Sequence, residues 1–386
     1  MPFVPQAFGS KKTWRRLGLT ILAIGLLAGA VEVAIHHYDP TRVVYRRLKA
    51  PDPFLYERID PALKRIDAAA MIDPETVGTP DVTRARLMRM IWGGNGTPVV
   101  EAPDDVTIGD DGVLGELPAG TAVTRLHFDL GLALTSNPYF VRAANGNGRL
   151  VVYHHGFGDP IDHVSHFLSG MLDAGFDVIA LNALGHGGTL AFVDSDQDGI
   201  LAHARQNRKS NIFHEMSHFD RPLRYHLRPI LGALNYARGR ARYASVDVVG
   251  FSMGGFFAML MAALDSDIER SYVISGVYPN YMRRGQEIMP DGPPSYAPLL
   301  EIANHLEMFV LGASGDGRRQ TQIFNRYDRC CFNGVRSQLY ADIVRDAVSN
   351  TPKGGDFRIL IDETHADHRI SRLVTSKIIE DLGRGR

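Results

Sequence analysis

Ser252 stands between two glycines in Gly250-Phe251-Ser252-Met253-Gly254-Gly255, a G-x-S-x-G spacing that follows the β-branched run Val246-Asp247-Val248-Val249. An Ala- and Met-rich helical pattern begins immediately afterwards. A serine on such a strand-to-helix bend exposes its Oγ for attack on a carbonyl, and flanking glycines permit packing that a side chain would block. The backbone N–H of Met253, at the helix start, then points at the oxyanion that the attack creates. The spacing alone says little, because 39 glycines make chance matches common; its position between strand and helix gives it weight. The plainer reading is a small residue in a turn. A serine nucleophile also needs an imidazole to take its proton and a carboxylate to hold that imidazole in the right tautomer. His365 and His368 compete for the first role, and Asp328 and Asp316 for the second.

Other spacings offer different chemistry. His214-Glu215-Met216-Ser217-His218 is H-E-x-x-H, which on a helix presents two histidines to zinc with a glutamate base beside them. Pro222 follows four residues later, no apolar helical stripe surrounds the segment, and no third ligand is fixed downstream, so a stretch of a variable lid is the plainer reading. Asp194-Ser195-Asp196-Gln197-Asp198-Gly199 starts like a calcium loop, yet its twelfth position is Arg205 where a bidentate glutamate belongs. His163, His166 and His186 read as packing or surface residues, and no metal is assigned.

The elements that must position Ser252 are visible from about residue 120, where short β-branched runs alternate with helical periods. Strands are expected at 122–128, 139–143, 150–154, 177–183, 245–250, 271–275, 321–327 and 357–361, with helices at 161–174, 223–237, 253–264, 297–311, 335–348 and 371–382. The segment Met308-Phe309-Val310-Leu311 could be a strand, but Leu299, Ile302, Ala303, Leu306, Phe309 and Val310 keep the helical period. Residues 39–118 are irregular and turn-rich, and read as a linker or cap of unassigned role.

The 386 residues carry 42 Lys+Arg against 43 Asp+Glu, a net charge of −1 that offers no field for nucleic acid. With 45% hydrophobic residues the chain can build a core, which excludes wholesale disorder. Its two cysteines, Cys330 and Cys331, are adjacent and are expected to be small packing residues, not a disulfide. Lys11, Lys12, Arg15 and Arg16 precede the uncharged, mostly apolar run Leu17–Val31, which marks residues 1–38 as a signal peptide or signal anchor. Ala28-Gly29-Ala30 fits a cleavage site, whereas Glu32 in the headgroup region would suit a retained anchor. Either reading carries the rest out of the cytosol or to a membrane face.

Taken together, residues 119–386 resemble the α/β-hydrolase family of serine hydrolases. His154-His155-Gly156-Phe157-Gly158-Asp159 is similar to the family's His-Gly loop, and Gly185-His186-Gly187-Gly188-Thr189 to its G-H-G-x-[ST] turn, although Asn182 and Leu184 replace the usual Asp and Pro before it. The resemblance implies a mostly parallel eight-stranded sheet flanked by helices, with lid insertions, and a chain order of Ser, acid, His. It makes Phe157 N–H the second oxyanion donor beside that of Met253. It favours His368, which leads directly into the last helix through the N-cap candidate Ser371, over His365. It favours Asp328, after the 321–327 strand, over Asp316, since choosing Asp316 would leave that strand without a place. The expected activity is hydrolysis of a carboxylic ester, of small-molecule or lipid-like type, through an acyl-enzyme with no cofactor. A zinc peptidase built on the His214–His218 segment and a non-catalytic binding module remain the alternatives.

Overall fold

In the computed structural model, which describes residues 11–49, 58–131, 134–157, 160–184, 213, 216, 219–283 and 292–384, ten strands join in one sheet. They are β1 (Asp105–Ile108), β2 (Ala122–Gly131), β3 (Leu134–Ser136), β4 (Tyr139–Arg142), β5 (Arg149–His154), β6 (Asp177–Leu181), β7 (Ser245–Phe251), β8 (Ile268–Ile274), β9 (Arg319–Asn325) and β10 (Asp356–Asp362). Their order is β1-β2-β4-β6-β5-β7-β8-β9-β10, with β3 paired to β2. The six from β6 to β10 run parallel, and the β1, β2, β3 and β4 pairings are antiparallel, so the sheet is mixed.

Apolar side chains alternate along the central strands and feed two cores. On β5, Leu150 and Val152 join one face while Val151 and Tyr153 join the other, all essentially inaccessible to solvent. Helices α1 (Lys11–His37), α2 (Asp39–Lys49), α3 (Pro74–Gly78), α4 (Pro80–Trp92), α5 (Ser165–Asp173), α6 (Leu223–Arg238), α7 (Met253–Leu264), α8 (Ala297–Leu300), α9 (His305–Ala313), α10 (Gln338–Ser349) and α11 (Arg372–Gly383) follow in chain order. Side chains of α4, α6, α7, α9 and α10 fill the first core, and those of α5 and α11 the second.

Three local features depart from the sequence expectations. β1 and β3 bring the strands to ten instead of eight; β1 is fully exposed and β3 has only three residues, so neither carries a readable apolar alternation. The helix expected over 297–311 is broken between α8 and α9. Asn304 accepts from the N–H groups of Leu306 and Glu307, while the Glu307 carboxylate accepts from Asn304 N–H at 2.7 Å, a capping box that starts a new helix inside an unbroken apolar period. Cys330 and Cys331 are joined as a vicinal disulfide, in a bend that turns both side chains to one side.

Residues 80–92 belong to the body of the fold. Leu87 and Ile91 of α4 are completely buried in the first core. The Arg84 guanidinium donates to Ala263 O at 3.1 Å and Leu311 O at 2.7 Å, satisfying carbonyls at the ends of α7 and α9.

Candidate active site

β7 is buried along its whole length and ends against the first turn of α7. Between them Ser252 adopts φ 55° and ψ −125°, a conformation that costs a non-glycine residue about 1–3 kcal/mol. Two neighbours hold it there: Ser252 N–H donates to Ile274 O of β8 at 2.9 Å, and Gly255 N–H donates to Ser252 O at 2.9 Å. A Cβ on Gly254 would stand 1.9 Å from His154 O, so α7 can meet the end of β5 only through a glycine. The His-Gly loop after β5 crosses directly over the serine, since a Cβ on Gly156 would lie 2.6 Å from Ser252 Cβ and 3.2 Å from its Oγ. Half-buried Phe157 follows on that loop, and Met253 opens α7, so the two proposed oxyanion donors flank the serine in the chain segments nearest to it.

Asp328 lies three residues beyond the end of β9 and is wholly buried. His368 lies in the loop between β10 and α11. Their side chains meet, with His368 Nδ1 2.5 Å from Asp328 Oδ2. The other carboxylate oxygen, Oδ1, accepts from Cys330 N–H at 2.7 Å, and Asn333 Nδ2 donates to the Asp328 carbonyl at 2.8 Å. The His368 ring packs on Phe251, the residue before Ser252, with centroids 4.6 Å apart. Its Nε2 is buried and makes no hydrogen bond within the described residues, leaving on the ring the nitrogen that a general base uses.

The two rivals sit elsewhere. His365 is completely buried, with Nε2 3.2 Å from Asp362 Oδ2 and Nδ1 accepting from Asp367 N–H at 3.3 Å. Asp316 is exposed in the turn before β9. Because β7, β8 and β9 are parallel, that turn is at the opposite end of the sheet from Ser252, roughly 20 Å along a seven-residue strand.

Asp362, at the end of β10, was not singled out by the sequence. It accepts from Thr364 N–H at 2.9 Å, Thr364 Oγ1 at 2.7 Å and Ser371 Oγ at 2.5 Å, and it faces His365. The carboxylate therefore ties together both ends and the middle of the loop that carries His368. Burial alone would raise its pKa, but the hydrogen bonds from His365, Ser371 and Thr364 outweigh burial and hold it well below the usual carboxylate range. The only hint in the sequence was Ser371, which does cap α11 by accepting from Val374 N–H at 3.1 Å.

At the end of β5, burial pushes the His154 imidazole down to about 4, and its ring stacks on Phe257 at 4.8 Å. The Tyr153 hydroxyl is 2.6 Å from His155 Nδ1. No cluster of three metal-ligating side chains occurs among the described residues; His163 is exposed and His166 half-buried. His214, Glu215 and His218, the 185–189 turn with His186, and the acidic loop 194–199 with Arg205 lie outside the described residues. At the N-terminus, Trp14–His37 of α1 forms a 24-residue helical span, long and apolar enough to cross a membrane.

Among solved structures, acetyl xylan esterase 1 from Thermoanaerobacterium sp. is 13% identical, with 85% of this chain and 100% of that one covered and a TM-score of 0.49. Acetyl xylan esterase from Paenibacillus sp. R4 is 14% identical, with 80% and 95% covered and a TM-score of 0.49. An esterase from Pyrococcus furiosus is 14% identical, with 74% and 98% covered and a TM-score of 0.43. A search of curated proteins found no match. A family model described as the alpha/beta hydrolase family matches residues 151–375, which span β5 to α11 and include the serine elbow and both loops that carry Asp328 and His368. By that match over more than half of its length, the chain belongs to the alpha/beta hydrolase family.

Proposed function

We propose that this protein is a serine esterase in which Ser252 is the nucleophile, His368 the general base and acid, and Asp328 the residue that orients His368. The observation that carries the reading is the 2.5 Å contact between His368 Nδ1 and Asp328 Oδ2, made beside the strained Ser252 bend. With Nδ1–H donated to Asp328, Nε2 is the acceptor and takes the Ser252 proton as Oγ attacks the acyl carbon. The N–H groups of Phe157 and Met253 receive the charge that develops on the carbonyl oxygen. The protonated His368 then delivers its proton to the departing alcohol, leaving an acyl-enzyme. Water attacks this intermediate with His368 again as base, releasing the acid and restoring Ser252. No cofactor enters these steps. An ester is the substrate class that this machinery cleaves most readily, because an alcohol leaves more easily than an amine. In this reading the catalytic groups all lie within residues 119–386, and α1 is a membrane anchor.

The test is labelling with a fluorophosphonate probe together with hydrolysis of 4-nitrophenyl butyrate. Wild-type protein should be labelled on Ser252 and should hydrolyse the ester, and Ser252→Ala should lose both. Labelling or hydrolysis that persists in Ser252→Ala refutes the assignment.

A further inference from the structure

The apolar helix and the catalytic loops are joined by α2 in a way that an anchor alone does not require. Ile21, Leu22, Ile24, Leu26 and Leu27 of α1 are each more than half exposed, so between Leu17 and Val31 the helix presents apolar side chains to its surroundings, with Glu32 and His36 following at its end. At about 1.5 Å per residue its 24-residue span is about 36 Å long, enough for a hydrocarbon core of about 30 Å. Arg15 and Arg16 mark one headgroup level, and Arg42, Arg46, Arg47 and Lys49 the other. A bilayer is the occupant that fits this surface.

The end of α1 does not lead into a loose linker. Only Tyr38 separates α1 from α2, and the Arg42 side chain, through Nε, donates back to Ile35 O at 3.0 Å. From there α2 reaches both catalytic loops. Arg42 pairs with Asp367, and the Arg369 guanidinium donates to Asp39 at 2.5 Å. Val43 packs against buried Tyr327 and Ala366. Tyr327 precedes Asp328 in the chain, and Asp367 and Arg369 flank His368. Between them, Glu32 and His36 of α1, Arg46 of α2 and Arg329 line one polar cavity of about 340 Å³.

We infer that the bilayer surface is the docking partner of the catalytic mouth, and that the substrate is a long-chain acyl ester drawn from that bilayer. This rests on the esterase reading above. The two loops that hold the acid and the base are clamped to the end of the spanning helix, which sets them at headgroup level. A water-soluble ester gains nothing from that placement. An ester with a long chain keeps the chain in lipid while its carbonyl moves the short distance to Ser252.

The experiment uses the full chain reconstituted in phosphatidylcholine vesicles. It compares water-soluble 4-nitrophenyl butyrate with 4-nitrophenyl palmitate carried in the vesicles, in wild type and in Arg42→Ala/Val43→Glu. Whatever the double variant loses on butyrate, its kcat/KM on vesicle-borne palmitate should fall at least tenfold further. Equal losses on both substrates, no loss on either, or a wild type that hydrolyses butyrate but not palmitate overturns the docking inference and leaves the esterase reading standing. Butyrate hydrolysis that survives Ser252→Ala, or a wild type inactive on both esters, overturns the esterase reading instead. Independently of activity, Arg329→Trp placed in a Trp14→Phe/Trp92→Phe background should be quenched by lipids brominated near the headgroup, and this quenching should fall when Arg42→Ala/Val43→Glu is added. An unquenched tryptophan overturns the placement.

Discussion

Replacing Asp328 with asparagine keeps the shape of the acid and removes its charge, and the surroundings of the carboxylate dictate which way the amide must lie. Oδ1 accepts from Cys330 N–H at 2.7 Å, so the asparagine oxygen has to stay there; a nitrogen would set two donors against each other. The NH2 group then occupies the Oδ2 position, 2.5 Å from His368 Nδ1 in the wild type, and donates to that nitrogen. His368 is forced into the tautomer with its proton on Nε2, which cannot accept a proton from Ser252. The expected cost is that of a histidine held in the wrong tautomer, about 10³- to 10⁴-fold in kcat, or about 4–5.5 kcal/mol of barrier. The assay is the steady-state rate on 4-nitrophenyl butyrate from pH 6 to 9, read beside the rate of fluorophosphonate labelling and the thermal midpoint. KM and the midpoint should change little, because volume and the Cys330 hydrogen bond are conserved. Asp316→Asn, exposed at the other end of β9, should stay within twofold of wild type. An Asp328→Asn enzyme that retains more than a tenth of wild-type kcat would show that the carboxylate does not set the tautomer of His368.

The remaining expectations concern the frame around the site. Gly254→Ala should abolish activity and lower soluble yield, because the new Cβ meets a backbone carbonyl at 1.9 Å that cannot move without separating α7 from β5; normal activity in this variant would show that the elbow is looser than described. Asp362→Asn should lower the thermal midpoint at pH 7 by about 3 °C, since a buried carboxylate with several hydrogen bonds is worth about 2–3 kcal/mol and a chain of this length loses about 1 °C for roughly every 0.8 kcal/mol. The folded-state pKa of Asp362 is depressed, so its stabilisation is complete above the unfolded carboxylate value near about 4 and is lost as pH falls further. The variant should therefore lose less stability than wild type between pH 4 and pH 2, and parallel curves would count against the network. His154, with a folded pKa of about 4 against about 6.5 when unfolded, contributes stability that is complete above the unfolded value and declines as pH falls towards 4, by up to about 1.4 kcal/mol per pH unit. Urea titrations between pH 7 and pH 4 should show a shallower decline in His154→Phe, and identical slopes would rule His154 out as a source of the acid sensitivity.

Much of the frame was legible because it is local. The β-branched run into Gly250-Phe251-Ser252-Met253-Gly254 encodes a strand, a bend and a helix within ten residues, and the chain forms β7, the Ser252 bend and α7 there. The helical period through Met308 and Val310 likewise put those residues in a helix, which they form as α9. The break before it was hidden because Asn304 and Glu307 act through hydrogen bonds, which leave an apolar period untouched. β1 and β3 were hidden because a short or exposed edge strand has no buried face to imprint on its sequence.

What composition and spacing determined by themselves was the identity of the candidate groups: a serine on a bend, two histidines three residues apart and two aspartates twelve apart. Which of these lie near one another was decided by the tertiary structure. Parallel pairing of β7, β8 and β9 sends the segment after β9, with Asp328, to the same edge of the sheet as Ser252, and leaves Asp316 at the other edge. The clamp of Asp362 on Thr364, His365 and Ser371 turns His365 inward and presents His368 to Asp328. The docking of α2 on the same loops joins residues more than 280 positions apart. Backbone preferences and side-chain periods act over a few residues and so are written in the sequence order, whereas the direction in which a loop faces is set by what packs behind it, and that partner comes from elsewhere in the chain.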